Sequence, residues 1–445
     1  LTEENIVNDR ADHDVVIIGA SLAGCTAAIL LGRAGLRVAL VEKSPDPASY
    51  KRICTHFIQS SAVVTLKRLG ILEDLEEMGA LRPRSRLWTR WGWIEPPQDS
   101  TVPASVNIRR ERLDPFMRSL AGETEGVELM LGLVAQELER GEDGAICGVI
   151  VRGRDGERTL LRAPLTIGAD GRDSKLAELA KVRERRLPQG RFAYGAYYEG
   201  PAPEGSPDGS LWILDPQMVA AFPTDGGLTF YACMPTQERL PEFRKDPLKA
   251  LEAIVANVPD APPILASQQV SPVQGKLDMT NVLHVPIAPG FALVGDAAAA
   301  LDPLWGIGCG FALQTSEWLA DAVTPALAER RKPLEEGLEA YRKRYAKGLK
   351  GHISLIVDYA TGRRMNFAER MMFSAATRDS RLAVKFEAFG TRNIAPGPFI
   401  GSVLPRAAVV NARHALRPRA SAVPARLGGQ AAGSGAPADP ARVAS

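Results

Sequence analysis

The residues best placed to do chemistry lie between positions 291 and 310. Phe291-Ala-Leu-Val-Gly-Asp296 reads as an apolar strand that ends on an acid. Asp302-Pro303 follows, then Trp305, Gly306, Gly308 and Cys309, where a long helix begins. An acid at a strand end can bond sugar-like hydroxyls. A glycine turn brings backbone N–H groups close to a flat or anionic ligand, and a helix start adds a fixed positive partial charge. Together these suit a flavin, with ribityl hydroxyls, a planar ring and an anion once that ring is reduced.

A second set of residues opens the chain. Gly19-Ala-Ser-Leu-Ala-Gly24 follows the strand pattern Asp14–Gly19 and opens a helix over Leu22–Ala34. It matches G-x-G-x-x-G with Ser21 at the second glycine, where a bare backbone normally approaches a pyrophosphate. The Ser21 hydroxyl can itself bond phosphate, beside the amides of Leu22 and Ala23. Glu42 ends the next strand, followed by Lys43; an acid there holds ribose hydroxyls and repels a 2′-phosphate. The same string overlays a phosphate-loop pattern, but Cys25 stands where that pattern needs lysine. A glycine turn without any ligand gives the same letters, so the β-α-β context carries the reading. A third motif, Gly168-Ala-Asp170-Gly171, ends the apolar strand Leu165–Ala169; alone, Asp-Gly is a turn.

These motifs need elements to position them. The chain has 445 residues, 45% hydrophobic and 24% charged, with a net charge of +2. That length suggests two or three domains. The charge implies no nucleic-acid partner, and glycines and arginines break up Val15–Val41, so stable membrane insertion is not expected. The five cysteines and five histidines are scattered, which disfavours a disulfide framework or a metal site and points to a cytoplasmic protein. Residues 1–12 read as a disordered leader and 415–445 as a disordered tail. Residues 60–79 read as two short helices, 109–121 as a helix, 127–169 as a β-meander, 190–234 as a second antiparallel sheet, and 308–329 and 335–378 as helices.

In order and spacing, the three motifs resemble those of the FAD-dependent monooxygenases of the p-hydroxybenzoate hydroxylase type, over roughly residues 14–330. The resemblance implies an α/β fold: a Rossmann-like FAD-binding domain (13–80, 99–188 and 276–334), an antiparallel-sheet substrate domain (81–98 and 189–275) and a helical region (335–414). It implies that Gly19, Ser21, Gly24 and Glu42 hold the ADP half of FAD. Arg110 faces the pyrophosphate, Asp170 belongs to the flavin and NAD(P)H motif, and Gly295-Asp296 meets the ribityl chain. Asp302, Pro303 and Trp305 are candidates for the flavin face. The activity implied is hydroxylation or epoxidation of an aromatic or polyketide-like molecule through a flavin C4a-(hydro)peroxide, with O2 and NADPH or NADH as co-substrates. The Ala-, Arg- and Gly-rich usage associates with natural-product tailoring.

The chain also departs from that family. Ala299 stands where many hydroxylases have histidine, and Asp302-Pro303 is closer to flavin halogenases and geranylgeranyl reductases. Lys51-Arg-Ile-Cys54-Thr-His56 is similar to a loop of the reductases. A halogenase, a prenyl reductase and a flavin-binding protein without turnover therefore stand as alternatives. Trp88, Trp91, Trp93, Tyr194, Tyr197, Trp212, Phe222, Tyr231 and Trp305 are candidate pocket residues, and Arg84, Arg86 and Arg90 candidate receivers of an acid. Each serves equally well as sheet core or solvated surface, except Trp305, which lies inside the loop that the resemblance assigns to the flavin.

Overall fold

A computed structural model describes residues 6–10 and 13–416. Its first layer is a sheet in the order Ile287–Ala288, Phe291–Leu293, Leu165–Gly168, Val15–Ile18, Val38–Glu42 and Val127–Leu131. All its pairings are parallel except the edge pair Ile287–Ala288 with Phe291–Leu293. Its inner strands are short, almost wholly buried runs, as strands covered on both faces must be, while the edge strand Val127–Leu131 carries the exposed Glu128. The helices Leu22–Arg33 and Gly308–Leu327 pack with them in one apolar core. Gly168 pairs with both Ile18 and Leu293, and Ile18 with Val41. The strands therefore end in register, and the Gly19, Glu42, Asp170 and Asp296 turns all leave from one edge.

Of the run 127–169 read as a meander, only Val134–Arg140, Ile146–Arg152 and Arg158–Arg162 form one; Val127–Leu131 and Leu165–Gly168 pair parallel in the first sheet instead. Ile6–Arg10, inside the segment read as a leader, pairs parallel with the open edge of Arg158–Arg162. The rest of that leader, and residues 417–445 of the expected tail, lie outside the described residues.

The second layer is an eight-stranded sheet. Ala193–Glu199, Leu228–Met234, Met218–Pro223 and Gly209–Ile213 are antiparallel neighbours, and the hairpin Ser85–Thr89/Gly92–Ile94 joins beyond Gly209–Ile213. Period-2 alternation splits its side chains between two environments. Trp212, Val219, Ala221, Tyr231 and Cys233 pack under the helix Pro247–Ala256, which buries Ala250, Leu251, Ile254 and Val255 against them. Their strand neighbours Met218, Ala220, Phe222, Phe230, Ala232 and Met234 face the other way.

The chain ends in the helices Leu334–Ala360, Phe367–Ala376, Ser380–Gly390 and Pro396–Ala415. The single helical run read over 335–378 is thus two helices. Gly362, at φ +78°, follows the first, and an Asn366–Glu369 capping box starts the second. The last three helices share an apolar cluster that includes Ile94 of the hairpin.

Candidate functional site

The glycine turn is fixed by close backbone approach. Gly19 sits at φ +107°, and a Cβ there would lie 2.5 Å from the Ala169 carbonyl oxygen. A Cβ on Gly24 would lie 1.8 Å from the carbonyl oxygen of Gly19. The helix Leu22–Arg33 consequently starts tight against the strand ends, with no side-chain cap and no acid in its first turn. The helix Gly308–Leu327 also starts without a side-chain cap or a first-turn acid. Elsewhere, helix starts at Pro247 and Ser380 are closed by Asp246 and Asp379. Two open, positive helix ends at one sheet edge, with a glycine cradle that tolerates no side chain, fit a dinucleotide with anionic and hydroxyl groups.

The polar groups at this edge form a connected network. Glu42 accepts hydrogen bonds from the Ala20 and Ser44 amides, each at 2.9 Å. Arg110 is buried; its Nε donates to Asp114 at 2.8 Å and its Nη2 to the Ser21 hydroxyl at 2.8 Å. Burial opposes its charge, but Asp114 outweighs that and holds the guanidinium firmly protonated. Asp114 also accepts the Lys51 amide at 2.9 Å. Lys51 Nζ meets Asp296 at 2.7 Å. Burial alone raises an acid's pKa, yet Lys51 holds the Asp296 carboxyl below its ordinary value. Asp170 has both oxygens engaged in its own turn, by the Ser174 hydroxyl at 2.6 Å and the Leu176 amide at 3.0 Å. Lys43, after Glu42, is exposed.

Cys309, in the first turn of its helix, faces Cys54 with the two Sγ atoms 3.7 Å apart. Arg110 Nη1 lies 4.0 Å from Cys54 Sγ and 3.9 Å from Cys309 Sγ. The hydrogen bond from Cys309, with His56, Arg110 and Lys51 nearby, holds the Cys54 thiol well below the usual range, whereas Cys309 is pushed up. The Lys51–His56 loop, singled out in sequence as a departure, therefore joins Arg110 and Asp296 in one site.

Asp302 is fully buried and accepts the Leu304 amide at 2.9 Å. Pro303, Leu304, Trp305 and Gly306 form one wall of a cavity of about 380 Å³. The opposite walls are Leu211, Met218, Phe222 and Met234 of the second sheet, and Tyr359, Phe386, Phe389 and Phe399 of the C-terminal helices. Among the described residues there is no cluster of His, Cys, Asp and Glu arranged to hold a metal, and no helix long and apolar enough to cross a membrane.

Most of the aromatic pocket candidates lie elsewhere. Phe222 and Trp305 line the cavity. Trp88, Trp93, Tyr194, Trp212 and Tyr231 belong to the cluster on the opposite face of the sheet, because they occupy the alternate strand positions. Tyr197 packs beside Phe230 and is hydrogen-bonded to His56. Of the arginine candidates, Arg84 is committed to Glu387 at 2.6 Å and Arg86 to Glu95 at 2.6 Å, while Arg90 lies over Trp91. The arginines that line the cavity are Arg191 and Arg363, which no sequence motif marks.

Comparison with known proteins agrees with this geometry. Residues 12–349 match the family model described as FAD binding domain. Squalene epoxidase 3 of Arabidopsis thaliana is 27% identical over 331 residues, 72% of this chain and 61% of that protein. Menaquinone reductase of Mycolicibacterium smegmatis is 27% identical over 330 residues, 72% of this chain and 77% of that protein. The flavin-dependent brominase Bmp2 shares the fold, with a TM-score of 0.73 at 17% identity, covering 91% of this chain and 98% of the brominase. The chain belongs to the FAD-binding family.

Proposed function

We propose that this member of the FAD-binding family is an NAD(P)H-consuming monooxygenase that hydroxylates or epoxidises an aromatic or polyketide-like small molecule. The observation that carries the reading is the apolar cavity walled by Pro303–Gly306, the loop that runs from the Asp296 turn into the Gly308 helix. FAD, when bound, supplies the electron transfer from nicotinamide to O2. The chain's own residues supply the rest. Gly19, Ser21, Leu22, Ala23, Gly24 and Glu42 hold the ADP half, and Arg110 faces the pyrophosphate. Lys51 and Asp296 meet the ribityl chain. The Gly308 helix start stabilises negative charge on the ring edge. The second sheet and the C-terminal helices orient the substrate and exclude water.

Halogenation is less well supported, because that chemistry needs a lysine in the substrate tunnel. None is among the described residues that line this cavity. Reduction of a prenyl or quinone substrate is the second reading. The Lys51–Cys54 loop, with its acidic thiol, and the menaquinone reductase relative favour it. Turnover under labelled O2 separates the two. Monooxygenation predicts labelled oxygen in the product and NAD(P)H oxidation that substrate accelerates. A saturated or reduced product without label, formed equally well in the absence of O2, refutes it.

A further inference from the structure

We propose that Cys54 and Cys309 form a peroxide-reactive pair, in which Cys54 is oxidised first and Cys309 then closes a reversible disulfide with it. The inference goes beyond the reading above and holds whichever reaction the cavity carries out. Cys54 lies in the Lys51–His56 loop, and Cys309 in the first turn of the Gly308–Leu327 helix. The fold brings these sulfurs, 255 residues apart in the chain, to 3.7 Å. Both are free thiols.

The surroundings divide the roles. Cys54 is half-buried, within reach of a molecule as small as hydrogen peroxide, whereas Cys309 is buried. The Cys54 sulfur accepts the His56 amide at 3.3 Å, faces Arg110 Nη1 at 4.0 Å and takes the Cys309 S–H at 3.7 Å. Three donors around one sulfur favour its thiolate, the form that attacks peroxide. Cys309 keeps its proton, because a thiolate and burial both oppose a second negative charge. The Cys54 thiolate attacks one peroxide oxygen. An S–O bond forms, the O–O bond breaks, and hydroxide leaves beside the Arg110 guanidinium and takes a proton from solvent. Cys54 is then a sulfenic acid. The Cys309 sulfur attacks it: the S–S bond forms, the S–O bond breaks, and hydroxide departs with the Cys309 proton as water. Two thiols have lost two electrons and two protons, and one peroxide has become two waters. A disulfide needs its sulfurs at about 2 Å, and the loop, exposed from Lys51 to Ile53, can supply that closure. The same loop carries Lys51 to Asp296 and His56 to the Arg110 amide. Tying it to the helix start therefore alters the edge that faces the flavin.

The experiment treats the FAD-loaded protein with stoichiometric hydrogen peroxide, then counts free thiols in denaturant and weighs unreduced peptides. Two of the five thiols should be lost. One pair of peptides should be joined, through Cys54 and Cys309, and the flavin spectrum should shift. Dithiothreitol should reverse all three changes. At pH 7 the reaction should run about tenfold or more faster than that of glutathione, since a free thiol is only a few per cent thiolate there. Its rate should fall as pH drops through the lowered Cys54 value. Cys309→Ser should leave Cys54 as a sulfenic acid that dimedone captures, and Cys54→Ser should leave Cys309 unoxidised. That asymmetry is an effect two merely packed thiols would not give. Should either variant fail to fold, the wild-type cross-link and its pH profile carry the test. Sulfinic acid at Cys54 without a cross-link, a link to any other cysteine, or no reaction at peroxide levels that consume glutathione overturns the inference.

Discussion

At the carboxyl edge of the parallel sheet, charged groups come in satisfied pairs: Arg110 with Asp114, Lys51 with Asp296. In the cavity, Arg191 and Asp302 face each other at 3.8 Å with free atoms on both. The two regions also differ in how they are assembled. Four consecutive turns from strands in register build the first, each within a few residues of its motif. The second gathers single side chains from Thr55 to Ile400. A site made of backbone approach and local pairs can hold a constant ligand. A site made of scattered side chains can change its ligand without disturbing the first.

That separation can be broken experimentally. The largest effect should come from Gly24→Ala, whose Cβ would stand 1.8 Å from the Gly19 carbonyl oxygen. The helix must move off the strand ends, so FAD binding should be lost and stability should fall by roughly 1–3 kcal/mol or more. Flavin absorbance after purification and thermal unfolding check both. Retention of full flavin content would mean that the turn does not set the cofactor site.

The two faces of the second sheet should then respond differently. Trp212→Ala opens a void under the Pro247–Ala256 helix and should cost about 3–5 kcal/mol. Phe222→Ala enlarges a cavity that already exists, so it should cost less and should raise the KM for substrate while leaving FAD content intact. Denaturant unfolding of both variants, with the KM of the second, would expose any error in the assignment of the faces.

The smallest effect concerns Cys54. A thiol whose pKa lies below its ordinary value is already thiolate at pH values where a free thiol is protonated. Iodoacetamide should therefore label Cys54 near neutral pH, with a rate that falls only once the pH drops through that lowered value. Cys25, pushed up to about 12 by burial, should stay unlabelled in the folded protein. FAD should protect Cys54. Equal labelling of both cysteines, read by peptide mass spectrometry, would contradict the environment assigned to Cys54.

Much of the geometry of the sheet edge was legible because its determinants are local. A glycine forced by a close carbonyl, and an acid at a strand end, leave marks at fixed spacings. The strand order was not legible: 127–169 reads as one meander, yet its first and last strands, Val127–Leu131 and Leu165–Gly168, join the parallel sheet through partners distant in sequence. The cavity was not legible in this way. Alternation in Gly209–Ile213 and Leu228–Met234 shows that two faces exist, and bulky aromatics drew attention to the wrong one. A signal was available: the Pro247–Ala256 helix carries one apolar face that needs a sheet to cover, and it covers the face of Trp212 and Tyr231. Arg191 left no mark, because its significance comes from Pro216, Tyr359 and Asp302, which are distant in sequence.

The central claim is that the sheet edge holds FAD independently of the cavity beside it. The most direct measurement is the flavin content of gently purified wild-type protein and of Leu211→Trp, by absorbance and release on denaturation. Stoichiometric FAD in both is the predicted result. A colourless wild-type protein that takes up no added FAD, or loss of flavin when only the cavity is filled, would contradict it.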